Sequence, residues 1–204
     1  MDEKISRLCA KAKLRGFIPH VAEKEQVNAL VESLIGAEPK TIGSGGSMTL
    51  HDLGTLFDLA AKGHKVYSYD TVSDEERPTM YQRAAKADWF VSSANAVTTS
   101  GDIVNIDGTA NRVAPLLFGV PNIIYVFGVN KIVDTLDEAI DRVRNHACPL
   151  NARRLNKNTP CAITGKCSMC NSADCICNVT TIVHHPTRLQ AQVHLIIVPE
   201  QLGY

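Results

Sequence analysis

TIGSGGSMTLHDLGTLFDLAAKGHKVYSY, residues 41–69, decides the fold of this 204-residue chain. The stretch opens on a short β-branched segment that runs into a glycine-rich turn, and apolar residues at helical spacing follow from Leu50 to Ala60. Lys65–Tyr69 then alternates apolar and polar residues, as a strand with one buried face does. The order strand, glycine loop, helix, strand predicts a βαβ unit.

The same alternation continues on both sides of this unit. It predicts strands at 89–93, 122–127, 179–183 and 193–198, and helices at 2–14, 21–35, 73–86, 111–118 and from 135 onward. Residues 94–108 are predicted as a polar turn around a short extended piece at 103–104, and residues 148–161 as a surface loop. Strands that alternate with helices predict an α/β fold in which one mostly parallel sheet, flanked by helices, forms a single domain over residues 1–204.

Composition narrows the class of partner. The chain carries 21 basic and 21 acidic residues, so no overall charge favours nucleic acid or an anionic membrane surface. The first residues mix charged and apolar side chains unlike an export signal, and the longest apolar runs are far shorter than the about 20 residues that cross a bilayer. We therefore expect a cytoplasmic protein with neither a nucleic acid nor a membrane as its partner.

The cysteines form the most specific motif. Five of the seven fall in the pattern C-x5-C-x2-C-x4-C-x-C between Cys161 and Cys177, inside a polar segment, 148–178, that is predicted as an insertion in the α/β domain. Reduced thiols in a cytoplasmic protein are poor disulfide partners, and close spacing lowers the cost of gathering them around a metal. The uneven spacing favours a [4Fe–4S] cluster, and zinc is the alternative.

A second candidate site lies where predicted strands end. Ligands in open α/β sheets bind beyond the carboxyl ends of the strands, and a glycine loop there can turn backbone N–H groups toward an anion. The sequence therefore predicts a pocket for a small anionic metabolite, lined by Gly43, Ser44, Gly45, Gly46, Ser47, Asn95, Thr98, Asp107, Thr109, Asn111 and Arg112. These polar residues also suit turns that satisfy only their own backbone groups.

Several stretches together resemble the LUD-domain (lactate-utilization, DUF162) family, in particular its short cysteine-bearing branch. They are GSGGSMTLHDLG (43–54), SSANAVTTSGDIVNIDGTANRVAPLLFGVPNIIYVFGVNKIV (92–133), PLNARRLN (149–156), TPCAITGKCSMC (159–170) and ICN (176–178). The resemblance implies a fold similar to that of sugar-phosphate isomerases and CoA transferases. It also implies that the metal ligands are Cys161, Cys167, Cys170 and Cys177, with Cys175 left over.

The resemblance also bears on chemistry. Isomerases of this fold place an acid–base Asp after the strand equivalent to 89–93, where this chain has Asn95, which cannot exchange a proton near neutral pH. Only Asp102 or Asp107 is available to replace it. The CoA transferases use a Glu nucleophile, and no Glu occurs between Glu76 and Glu138. Both reactions are therefore disfavoured.

Three hypotheses follow. The first is an accessory protein of lactate or related carboxylate metabolism that holds an iron–sulfur cluster, binds a small anionic metabolite and works with an iron–sulfur or redox protein partner. The second is an isomerase- or transferase-fold enzyme that acts on a phosphorylated or CoA-linked substrate and carries a structural zinc. The third is a redox- or metal-responsive interaction protein.

Overall fold

A computed structural model describes residues 2–204, and its strands form two sheets. The main sheet is parallel throughout, in the order β1-β10-β7-β4-β2-β3. The strands of this part of the chain are β1 (Ile18–Val21), β2 (Thr41–Gly43), β3 (Lys65–Tyr67), β4 (Trp89–Ser92), β5 (Ala96–Thr98), β6 (Ile103–Asp107), β7 (Asn122–Gly128), β8 (Ile132–Val133), β9 (Val179–Val183) and β10 (Gln192–Val198). The predicted α/β fold with a parallel sheet is confirmed.

Helices cover both faces of the main sheet, so its central strands are buried on both sides. Side chains of β7 show this: Ile123, Tyr125 and Phe127 enter one core cluster, while Ile124 and Val126 enter the other. The helices are α1 (Glu3–Leu14), α2 (Val27–Ile35), α3 (Met48–Asp52), α4 (Thr55–Ala61), α5 (Arg77–Ala84), α6 (Val113–Leu117), α7 (Leu136–Arg142), α8 (Cys148–Arg154) and α9 (Pro160–Thr164). Within residues 2–204 no helix has the length and apolar character needed to cross a membrane.

The second sheet was not predicted. It has the order β8-β5-β6-β9, and residues 94–108, predicted as a polar turn, supply β5 and the fully buried β6. The strand at 179–183 was predicted to return to the main sheet, but it pairs antiparallel with β6 instead. Local sequence could not reveal this pairing, because Asn105 and Asp107 make β6 look polar and their partners lie elsewhere in the chain.

Two helix boundaries were also wrong. The predicted helix 21–35 is shorter, because β1 (Ile18–Val21) precedes it and pairs with β10 at the edge of the sheet. The predicted loop 148–161 is mostly helix: α7 continues through a π-helical turn, Val143–Ala147, into α8. Pro149 has no backbone N–H to donate, and the wider winding just before it lets the helix axis continue past the proline.

A histidine pair joins the strands at this edge of the sheet. Gln192 Oε1 lies 2.9 Å from His194 Nε2, so this nitrogen carries the hydrogen, and His194 Nδ1 accepts from His20 Nε2 at 3.0 Å. The His194 ring also stacks on Trp89. Burial, reinforced by the neighbouring His20, lowers the pKa of His194 to about 4. The ring is therefore neutral in the folded protein near pH 7.

We predict that this pair makes the protein less stable in mild acid. In the unfolded chain a histidine takes up a proton near pH 6.5. Between pH 6.5 and 4 the unfolded state therefore binds more protons than the folded state, and the stability decreases as the pH is lowered. The free energy of unfolding in urea should drop by about 1–2 kcal/mol from pH 7.5 to pH 5 through His194. His194→Gln should flatten this dependence, and an unchanged slope in that variant would contradict the assignment.

Candidate functional site: two adjoining cavities

Three strand ends of the main sheet meet around a cavity of about 740 Å³, the main cavity. Gly45–Ser47 follows β2, Ser93–Asn95 follows β4, and Lys131 follows β7. Asp107, at the end of β6, and the turn that follows it supply another wall. The cavity therefore lies at the carboxyl edge of a parallel sheet, where α/β proteins bind small ligands.

The glycine loop and the turn before α6 are in direct contact. Asn111 Nδ2 donates a hydrogen bond of 2.8 Å to the carbonyl oxygen of Gly45. A Cβ at Gly45 would lie 2.6 Å from the Cα of Arg112, so only glycine allows the two backbones to approach this closely. The helix after the loop, α3, has only five residues, and its N-cap hydroxyl, Ser47 Oγ, accepts from Leu50 N–H.

Arg112 is mainly a structural group. Its guanidinium donates to Asn105 Oδ1 at 3.1 Å, Asn95 Oδ1 at 3.0 Å and the carbonyl of Ile106 at 2.7 Å. Its Nε lies 3.6 Å from a carboxylate oxygen of Asp107. Most of its N–H groups are thus used within the protein, and the geometry does not favour the open bidentate clamp that arginine can offer to an anion.

Asp102 and Asp107, the two possible replacements for the acid–base aspartate, both make structural hydrogen bonds. Asp107 accepts hydrogen bonds from the backbone N–H groups of Thr109, Ala110 and Arg112, which shapes the turn. Asp102 lies outside the main cavity, and its carboxylate accepts from Arg15 at 2.5 Å. Although burial would raise the pKa of Asp102, this bond and others from hydroxyl groups and His184 hold it well below its ordinary value.

Most of the residues predicted to form the pocket line the main cavity: Gly45, Gly46, Ser47, Asn95, Asp107, Thr109, Asn111 and Arg112. Gly43, Ser44 and Thr98 do not. A Cβ at Gly43 would lie 2.4 Å from the carbonyl oxygen of Ala84, so this glycine serves the packing of α5. Ser44 is buried, with its N–H bonded to Tyr67 O, and the Thr98 hydroxyl donates to Asp102 at 2.8 Å.

Lys131 is the main residue that sequence reasoning missed. It is 3% exposed at the base of the main cavity, and its Nζ donates to Thr49 Oγ1 at 3.0 Å and Ser93 Oγ at 3.1 Å. Burial, followed by the charges of Arg142 and Arg112, lowers its pKa to about 7. A lysine between two apolar stretches, in GVNKIV, was the available signal, because lysine is seldom buried without a reason.

The cysteines surround a second cavity of about 240 Å³, the thiol cavity. Its walls carry the four predicted ligands and two more thiols, and these are Cys148, Cys161, Cys167, Cys170, Cys175 and Cys177. Cys9 is elsewhere, in α1, where it packs against the core. In the described arrangement of residues 2–204, no three His, Cys, Asp or Glu side chains are close enough to hold a metal ion, so the sulfur atoms would have to move inward.

Two sulfur atoms of the thiol cavity accept backbone hydrogen bonds. Met169 N–H donates to Cys167 Sγ and Cys177 N–H to Cys175 Sγ, each at 3.4 Å. Arg144, a cation, also lines this cavity. A hydrogen bond with Cys148, followed by burial, holds the pKa of the Cys177 thiol above its usual value. A metal that binds Cys177 must therefore displace its proton.

The two cavities share a wall. Ile106, Cys148 and Ile176 line both of them, so a single layer of side chains separates the main cavity from the thiols. Asn95 and Arg112 lie on the main-cavity side of this layer. The wall combines β6, the start of α8 and the cysteine segment, three regions that are distant in sequence.

The chain is similar to known proteins over nearly its whole length. The family model of the LUD domain matches residues 5–198. A solved DUF162 family protein from Deinococcus radiodurans matches with a TM-score of 0.55 and 15% identity over 96% of both chains, which shows a shared fold. The beta subunit of eIF2B from Chaetomium thermophilum matches with a TM-score of 0.36 and 16% identity, over 56% of this chain and 41% of its own. No curated protein matches.

We predict that Gly45 is essential to the main cavity. Gly45→Ala should lower the free energy of unfolding by about 2–3 kcal/mol, because the new methyl group overlaps the Arg112 backbone and one of the two segments must move. Gly46→Asn is the matched control, since Gly46 has open space around it and asparagine tolerates its positive φ. It should cost about 1 kcal/mol or less. Equal losses in urea denaturation would refute the close-contact argument.

Proposed function

Because this chain belongs to the LUD-domain family, we propose that it is an accessory protein of lactate or related carboxylate metabolism that binds a small anionic metabolite beside an iron–sulfur cluster. One observation carries the proposal: a polar cavity with buried cationic groups shares a wall with a cavity lined by six thiols. A ligand and a redox group would then be held side by side. Neither the cavity with buried cationic groups nor the cavity lined by thiols is needed to stabilise the fold.

The thiol cavity is proposed to hold a [4Fe–4S] cluster on Cys161, Cys167, Cys170 and Cys177. Thiolates are the usual ligands of such clusters, and backbone hydrogen bonds to the sulfur atoms tune their reduction potential. The cavity, with a volume of about 240 Å³, has room for a group larger than a single metal ion. Arg144 would offset part of the negative charge of the thiolates. When bound, a cluster of this kind supplies one-electron transfer.

The main cavity is proposed to bind the metabolite. Its base holds the Lys131 amine, and the Gly45 and Gly46 loop brings backbone groups to its side. The charge of Arg112 is partly matched by Asp107, whereas Lys131 has no carboxylate within 4 Å among residues 2–204. A carboxylate or phosphate is the ligand class that such a site favours. The chain's own contribution would be to orient this anion against the shared wall.

A redox protein partner is part of the proposal, because a cluster that transfers single electrons needs an external donor or acceptor. Two exposed apolar side chains belong to the cysteine segment. Met169 lines the thiol cavity and is 77% exposed, and Ile163, equally exposed, lies in α9, two residues after the proposed ligand Cys161. We propose that the partner docks on this side of the protein, since contiguous apolar patches at the surface are typical of docking sites.

We predict that each of the four proposed ligands is required for iron. Cys161→Ser, Cys167→Ser, Cys170→Ser and Cys177→Ser should each lose most of the iron and of the absorption near 400 nm after anaerobic purification, because a serine hydroxyl is a poor ligand for iron in such a cluster. Unfolding should also become easier, since structural metal sites release on the order of 10 kcal/mol on binding. Iron analysis and visible spectra measure the loss of the cluster, and urea denaturation measures the loss of stability.

Two variants serve as controls. Cys9→Ser, at a thiol outside the cavity, should keep full iron, and so should Cys175→Ser if this residue is the spare one. Iron loss in Cys175→Ser with retention in Cys177→Ser would reverse the ligand assignment. A colourless protein with one zinc per chain would instead support the isomerase- or transferase-fold enzyme with a structural zinc.

A further inference from the structure

Lys131 is a buried amine with an unused hydrogen-bond donor. A lysine ammonium has three N–H groups. Two are held by the hydroxyls of Thr49 and Ser93, and no third protein acceptor lies within hydrogen-bond distance among residues 2–204. Because Lys131 lines the main cavity, the remaining donor belongs to the surface that a ligand would meet. The two hydroxyls fix the amine in place, so little side-chain entropy is lost when a ligand binds.

The surroundings of Lys131 lack the negative charge that a buried ammonium normally needs. The cations Arg142 and Arg112 disfavour its protonation, and only Asp52, on α3, acts in the opposite direction. Asp107 is engaged with Arg112. The main cavity is also lined by other titratable or charged side chains, namely His51, Tyr69, Asp70, Tyr81, Arg154, Lys157 and Tyr204. Glu200 follows β10. An unpaired buried charge is expensive, so the amine in the ligand-free protein loses its proton readily.

Resting on the metabolite site proposed above, we infer that Lys131 Nζ is the group that recognises the oxyanion of the metabolite, and that it takes up a proton from solvent as the anion binds. The anion supplies the missing counter-charge at the base of the main cavity. Protonation supplies the third N–H of Lys131 and makes its hydrogen bonds charge-assisted, which are the stronger kind. Binding and proton uptake are therefore coupled.

Calorimetric titration of the full-length, anaerobically purified protein tests this coupling. L-lactate is the carboxylate probe and sulfate the tetrahedral probe, because neither changes its charge between pH 6 and 8.5. Titrations in two buffers of different ionisation enthalpy measure the protons taken up. We expect uptake that approaches one proton per ligand at pH 8.5 and is close to zero at pH 6, with an affinity at least about tenfold weaker at pH 8.5. The probe that binds more tightly identifies the ligand class.

Lys131→Met removes the amine while keeping most of the length of the side chain. It should weaken binding at pH 6 at least about tenfold and reduce the change in affinity between pH 6 and 8.5 to less than about twofold. Lys62→Met is the matched control: it replaces a surface lysine that pairs with Glu32 and Asp58, and it should bind as the unmodified protein does.

A measurement without ligand checks the state of the amine and the folding of the variant. The pKa of Lys131 is about 7 in the folded protein and near its ordinary value of 10.5 in the unfolded chain. Between these values the unfolded state binds more protons, so the unmodified protein gains stability as pH rises. Lys131→Met should therefore melt at a higher temperature at pH 6, and the difference should shrink by pH 9.5. A constant difference would mean a permanently charged Lys131 and would overturn the inference.

The possible outcomes distinguish a failure of the inferred role of Lys131 from a failure of the proposed metabolite site. Binding of either probe that persists in Lys131→Met without proton uptake would overturn the role of Lys131 and leave the proposed metabolite site intact. No binding of either probe by the unmodified protein would overturn both. A covalent adduct between Lys131 and a 2-keto acid, trapped with borohydride and seen by mass spectrometry, would show imine chemistry and overturn reversible oxyanion recognition.

Discussion

The buried guanidinium of Arg112 is the interaction on which the rest of this structure depends. It joins Asn95, at the end of β4, to Asn105 and Ile106 in the second sheet, while its backbone lies against Gly45 after β2. A buried charge is tolerated only when its hydrogen bonds are satisfied, so these partners are constrained together. The polar residues of the turn thus act as one unit, which fixes the angle between the two sheets and leaves the main cavity between them.

The second sheet determines where the cysteines lie. β9 follows the cysteine segment and pairs with β6, and Asn178 N–H donates to the carbonyl of Asp107 at the start of that pairing. The segment is therefore tied down at its far end, while the helical stretch that ends in α8 fixes its near end. As a result, six cysteines line one cavity and Cys148 contributes to the wall between the cavities. The adjacency of the two candidate sites is a consequence of strand pairing.

The burial of Lys131 lowers the stability of the folded protein and leaves an amine available to a ligand. The Lys131 amine is buried near Arg142 and Arg112, and Asp52 is the carboxylate that favours its charged form. Burial of this amine is unfavourable for the folded protein, and its two hydroxyl partners compensate only in part. An apolar residue of similar size would fill the space at lower cost. His194 at the sheet edge is also buried and neutral, but both of its ring nitrogens have hydrogen-bond partners inside the protein.

The sequence alone determined the parallel sheet and most of its helices. βαβ units can be predicted from the spacing of apolar residues and from turn residues, which are both local features of the chain. It also indicated the glycine loop at Gly45 and Gly46 and the clustering of the cysteines. Only the tertiary structure decided that the extended piece predicted at 103–104 belongs to β6 in a second sheet, that Arg112 is used internally, and that Lys131 lines the cavity. These facts depend on contacts between residues far apart in sequence, where burial and strand pairing override what a polar turn or a lone lysine suggests locally.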